Sequence, residues 1–180
     1  MNNQSLLERR YSGRRAELKR VILTEALACF LEYGIETTTI EMIRERAQTS
    51  VGAIYHHFKN KEGLVAALYI LAIEDQAERR DQALLSAQSL QQGIQVMTAS
   101  YIDWVMDYPD FARFLYAAHF SISKSAQQEE LKQKNAARNQ HLLWKVRLKR
   151  LSFSNKKRPQ WRSFFIALGF SPSPFGRRSE

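Results

Sequence analysis

The sequence predicts an all-α fold, and three observations carry that expectation. Apolar residues recur at steps of three and four through most of residues 14–144, the spacing that gives a helix one apolar face. The breaks between these stretches hold residues that start or stop helices, among them Gly34, Ser50, Asn60 and Pro109. No segment alternates apolar and polar residues as a half-buried strand does, and there is no internal repeat.

Residues 1–13 are polar and basic and read as a flexible arm. From Arg14 a stripe of Leu18, Val21, Ile22, Ala26, Cys29, Phe30 and Tyr33 marks a first helix, stopped at Gly34. Cys29 has no second cysteine to pair with and stands among Ala28, Phe30 and Leu31, so a buried, inert thiol is expected. Thr38 with Glu41 three residues on matches a capping box, opening a second helix with Ile40, Ile43 and Ala47. Gln48-Thr49-Ser50 is a short polar break, and Ser50 is placed to cap a third helix carrying Val51, Ile54, Tyr55 and Phe58. That helix is about two turns long, marginal alone, and must be held by packing.

Asn60 suits the N-cap of a long fourth helix from Lys61, apolar at Leu64, Leu68, Leu71 and Ala72. Past Glu74 its charged run (Glu78, Arg79, Arg80, Asp81) is expected to be exposed. A connection near residues 86–90 leads to a fifth helix with Ile94, Met97, Tyr101, Ile102, Trp104 and Val105. Pro109 fits the first turn of a sixth, with Asp110 at its positive end and Phe111, Phe114, Leu115 and Ala118 on one face. A seventh helix is expected from about Ala126 to Val146, with Leu131, Leu142, Leu143 and Trp144. From residue 145 the chain mixes basic residues with aromatics, Ser and Pro. Only Trp161–Phe170 is apolar enough for a short helix, and the remainder reads as irregular.

The net charge of +9 suggests a nucleic-acid partner, but its location matters. Residues 1–61 hold ten basic and seven acidic side chains, residues 62–144 seven and ten, and residues 145–180 ten and one. The excess therefore lies wholly in the tail, and any case for DNA binding by residues 1–61 rests on their pattern. No apolar run reaches the roughly 18–20 residues that span a bilayer. The start lacks the apolar core of a secretory leader. With the lone cysteine, this fits a reducing cytoplasm. There is no phosphate-cradling glycine loop, no Cys/His metal spacing and no nucleophile elbow, so an enzyme is the weak rival, and no cofactor is expected.

Three short helices, the second and third joined by a tight turn, form a helix-turn-helix. In that arrangement the second helix braces the third, which lies in the major groove of double-stranded DNA. The third helix begins with small or polar groups, Ser50, Val51, Gly52 and Ala53, that allow close approach to base edges. Its later residues Tyr55, His56 and His57, with Lys61 beyond, can donate to phosphates.

The run TTTIEMIRERAQTSVGAIYHHFKNKEGLVAAL resembles the signature of the tetracycline-repressor (TetR) family. Gly34 precedes the paired threonines, Ile43 and Ala47 stand where the second helix packs, and Ser50 stands at the reading helix's cap. Ile54-Tyr55-x-His57-Phe58 and Lys59-Asn60-Lys61-Glu62-x-Leu64 complete the match. The resemblance implies a DNA-binding domain at residues 14–61 within a wider module of about 15–75, and phosphate contacts from Thr38, Tyr55, His57 and Lys61. It also implies a helical regulatory domain at 62–144 that binds a small effector and forms a homodimer, and a transcriptional regulator that represses. YPDFARFLYAAHF resembles the family's sixth-helix region. Arg44 stands where the family usually has Ala, and Gln48 where it usually has Gly. A left-handed Gln48 would cost about 1 kcal/mol.

Other features are open to more than one reading. His56 and His57 could suggest a metal, but adjacent residues on a helix point about 100° apart and no further ligands are near in sequence, so one histidine toward phosphate is preferred. Tyr101, Trp104, Phe111, Phe114 and His119 are candidates for an effector pocket, with simple core packing as the alternative. Arg9, Arg10, Arg14 and Arg15 could reach a minor groove or form a solvated basic start. The tail at 145–180 reads as a second nucleic-acid arm, an end without a role, or a disrupted terminus that lacks the family's pairing helices.

Overall fold

The computed structural model describes residues 3–123; the expected helices at 126–146 and 161–170 and the tail lie outside the described residues. Seven α-helices follow in order: α1 (Asn3–Arg10), α2 (Glu17–Tyr33), α3 (Ile40–Arg46), α4 (Val51–Phe58), α5 (Lys61–Leu84), α6 (Leu90–Asp107) and α7 (Pro109–Ser123). A single 3₁₀ turn, Arg14–Ala16, precedes α2. No strand occurs among the described residues.

The expected arm at residues 1–13 is instead largely α1. Leu6 and Leu7 are fully buried, and α1 packs against α2. Its polar side is held by acids. The Arg9 guanidinium donates to Asp75 (2.7 Å) and to the Tyr108 hydroxyl (3.0 Å), and Arg10 pairs with Glu74 (2.7 Å) and Glu78 (3.1 Å). The second half of α5 is correspondingly less exposed than its charge suggests. Ala77 and Arg80 are buried, and Arg79 reaches Asp107 on α6 at 2.7 Å.

α2 buries Ile22, Leu23, Ala26, Leu27, Cys29 and Phe30, while Leu18, Val21 and Tyr33 stay on the surface. The expected stripe is thus rotated. α2 packs against α1, α3, α5 and α7, and this ring of partners leaves the side carrying Leu18 and Val21 uncovered. Burial pushes the Cys29 thiol up, away from the reactive thiolate. Gly34 ends α2 with φ 86°, a left-handed conformation that glycine adopts without strain.

The expected capping box of Thr38 and Glu41 does not form, and Glu41 pairs with Arg44 instead. Thr39, not Thr38, caps α3, accepting from the Met42 N–H at 3.3 Å. The other caps stand where the sequence puts them. Ser50 accepts from the Ala53 N–H (3.1 Å) and Asn60 from the Gly63 N–H (2.8 Å); in the connection near residues 86–90, Ser89 adds a cap to α6 that the sequence reading did not name. Pro109 opens α7, with Asp110 in its first turn.

Behind the first helices, α5, α6 and α7 enclose a core of Leu64, Leu68, Trp104, Tyr108, Phe111 and Phe114. Phe30 of α2 stacks on Phe114 of α7, centroids 5.9 Å apart. The described helices on either side of residue 61 therefore share one compact unit.

Candidate nucleic-acid interface

The turn between α3 and α4 decides how α4 is presented. Gln48 lies in the left-handed region, φ 48°, where the chain reverses after α3. The Ala47 N–H closes on Ile43 O (2.9 Å) and the Thr49 N–H on Arg44 O (3.2 Å), so the reversal is tight despite a side chain where glycine would be easier. α3 is braced on α2 through Arg46, which pairs with both Glu25 and Glu32.

α4 buries Ile54 and Phe58 and turns its opposite side outward. Gly52, Tyr55 and His56 are exposed there, Tyr55 at 48 %, while Val51, Ala53 and His57 flank them half-buried. Ser50 is exposed at the cap, so the start of α4 presents a hydroxyl and small side chains. A Cβ placed on Gly52 would meet only Ser50 Oγ, at 3.9 Å. Nothing inside the molecule requires glycine at 52; what it leaves free is the outward surface. Lys61 opens α5 half-buried, its ammonium donating to Glu36 O at 2.9 Å, which ties the α2–α3 loop to the α5 start.

Thr38 departs from expectation. It is 1 % exposed, and its hydroxyl lies within hydrogen-bond reach of Gly34 O (2.7 Å) and Cys29 O (3.1 Å). Its side chain is an internal staple and is not offered to a phosphate; Thr39 is the exposed threonine at the α3 start.

The candidate effector residues do not converge. Trp104, Phe111 and Phe114 are buried in the core, and Tyr101 and His119 lie on the surface. An open cavity of about 530 Å³ lies between α5 and α6, with Arg79, Ser100, Asp103, Met106 and Asp107 among its lining and none of those five aromatic or histidine side chains. The aromatics fill the seam between α5, α6 and α7, where burying their large area stabilises most. The Trp104 indole N–H donates to Asp75 (2.9 Å), the carboxylate that also holds Arg9. No group of three or more His, Cys, Asp or Glu arranged to hold a metal occurs among the described residues.

Residues 22–68 match the family model described as bacterial regulatory proteins, tetR family. The chain therefore resembles the TetR family over that segment, from within α2 into α5. Its sequence is 34 % identical over 102 residues to the HTH-type transcriptional repressor Rv1474c of Mycobacterium tuberculosis, covering 56 % of this chain and 52 % of that one. It is 44 % identical over 50 residues to the HTH-type transcriptional repressor AcnR of Corynebacterium diphtheriae, covering 28 % and 26 %. The chain thus spans about half or less of the length of these curated relatives. A TetR-family transcription regulator from Marinobacter aquaeolei shares the fold, with TM-score 0.67 and 18 % identity over 86 % of this chain and 81 % of that one. Among the described residues, no helix is long and apolar enough to cross a membrane.

Three features of this part of the molecule leave little signal in the sequence. α1 carries only one adjacent pair of buried leucines, too few to show a period. Lys59 takes a left-handed φ of 67° at the end of α4, a conformation uncommon for a side chain of its type. Gly63 stands so close to the end of α4 that an added methyl would overlap the Phe58 carbonyl oxygen. Its position three residues after the Asn60 cap was the available signal.

Proposed function

We propose that this chain is a TetR-family, sequence-specific DNA-binding transcriptional repressor, acting as a homodimer in the cytoplasm and released from its operator by a small-molecule effector. One observation carries the reading: the outward face of the short, capped α4, where Gly52, Tyr55 and His56 stand clear of the core behind Ser50. A helix with small residues at its start and donors along its length matches what the major groove admits. Val51, Gly52, Ala53 and His56 are assigned to base edges. Ser50, Tyr55, His57 and Lys61 are assigned to phosphates, with Thr39 replacing Thr38 at the α3 start. The repressors among its relatives support the sign of regulation.

The test is selection of bound duplexes from a randomised library on the full chain, then gel-shift titration of the selected operator. Gly52→Glu sets bulk and negative charge on the outward face, while position 52 has internal room for the side chain. The variant is expected to lose the operator's advantage over mixed-sequence DNA with helix content unchanged by circular dichroism. Retained operator preference would remove α4 from the reading role.

A further inference from the structure

Among the described residues, most arginines are spoken for by carboxylates: Arg9, Arg10, Arg44, Arg46, Arg79, Arg80 and Arg113 each pair with Asp or Glu. The three that are not, Arg14, Arg15 and Arg20, fall together at the start of α2. Arg14 and Arg15 are exposed in the 3₁₀ turn. Arg20 plays a different part. Its guanidinium donates to the carbonyl oxygens of Tyr11 (2.5 Å) and Gly13 (3.0 Å), stapling the turn to the helix that follows. Gly13, at φ 84°, gives the reversal that carries the chain from α1 into the turn. The turn is also fixed relative to α4. The Lys19 ammonium stands 4.4 Å from the Tyr11 ring centroid and 5.5 Å from that of Phe58, the last residue of α4. Glu17 is the acid within this stretch, against Arg14, Arg15, Lys19 and Arg20.

We propose that Arg14 and Arg15 form a preset clamp on the DNA backbone, gripping phosphates beside the groove that α4 occupies. Arg20 is a positioning residue that holds the turn's shape, and Lys19 sits at its seam with α4. The inference rests on the DNA-binding reading above and extends it to a second element. Two guanidiniums without acidic partners, on a turn held by three local restraints, meet phosphate oxygens at little ordering cost. Backbone contacts of this kind fix register and carry no sequence code.

The experiment measures affinity of the full chain for a mixed-sequence duplex and for its selected operator across a salt series. Arg14→Ala with Arg15→Ala should lower the slope of log affinity against log salt by about two units, nearly one for each phosphate no longer gripped. Both duplexes should weaken by the same factor, so operator preference is kept. Arg14→Lys with Arg15→Lys should keep the slope. Arg20→Met should lose part of it with both clamp arginines present, at unchanged helix content, as a positioning role requires. Gly52→Glu runs alongside. If Gly52→Glu abolishes operator preference while the double alanine variant keeps the full slope, the clamp is wrong and the reading of α4 stands. If the double alanine variant changes sequence preference rather than slope, the turn reads bases and the backbone clamp is overturned. If Gly52→Glu leaves preference intact, the assignment of α4 fails and the clamp falls with it.

Discussion

Gly63 and Gly52 stand eleven positions apart and answer to opposite constraints. At Gly63 the obstacle to a side chain is the Phe58 carbonyl oxygen, a backbone atom that cannot swing aside. Gly63→Ala must therefore shift the α4–α5 junction, and overpacking of this kind costs about 1–3 kcal/mol. The variant should melt several degrees lower by circular dichroism and bind every duplex more weakly, because α4 hangs on that junction. Gly52→Ala should melt at or above the parent temperature, since the site is open and alanine is the better helix former by about 1 kcal/mol. An unchanged melting temperature for Gly63→Ala would mean that the junction yields freely. Gln48 is a third case. Its φ of 48° carries a left-handed penalty of about 1 kcal/mol that glycine would relieve. Gln48→Gly should stabilise the head by up to that amount, less the glycine's greater freedom in the unfolded chain. A variant less stable than the parent would show that the Gln48 side chain contributes more than its backbone costs.

α4, the proposed reading helix, and α1 differ in how local their causes are. α4 is legible because its cap Ser50, its buried pair Ile54 and Phe58, and the flanking Asn60 cap are all close in sequence. α1 is not, because its buried Leu6 and Leu7 are one adjacent pair without a period, and Arg9 and Arg10 are neutralised by Asp75, Glu74 and Glu78 more than sixty residues away. Thr38 failed for a similar reason. With three threonines in a row, only the fold tells which hydroxyl caps α3 and which turns inward to Cys29 and Gly34. Of the effector candidates on α6 and α7, Trp104, Phe111 and Phe114 are core, with Phe114 stacked on Phe30 of α2. α1 yields a sharp prediction. Leu7→Ala removes a fully buried side chain, and such truncations cost about 2–5 kcal/mol. Chemical denaturation should report that loss in one cooperative transition with the rest of the unit. A loss near zero would mean that α1 frays independently and that its pairing with α5 is a surface contact of little worth.

At the scale of the molecule, charge separates specific from nonspecific attraction. Residues 1–144 hold seventeen basic and seventeen acidic side chains, so the whole net positive charge belongs to residues 145–180. Among the described residues, most arginines are further neutralised by ion pairs, and the cations near α4 and the Arg14–Ala16 turn are the proposed phosphate contacts. Long-range attraction to DNA of any sequence should then come chiefly from the tail, and discrimination from α4. Ending the chain after Trp144 is expected to lower affinity for mixed-sequence DNA sharply at low salt and much less at high salt, because screening has already removed most of the tail's contribution there. The head is expected to keep its helix content, with Ile22, Phe30, Ile43, Ala47, Ile54 and Phe58 as its buried core. Operator preference should rise, because the nonspecific competitor is the term removed. Sedimentation of both chains supplies the decisive control. One short reading helix needs a symmetric partner for useful operator affinity, so a truncated chain that keeps its operator must also keep the parent's oligomeric state. A parent dimer that becomes a monomer on truncation, with operator binding lost, would make the tail an assembly element instead of an electrostatic one.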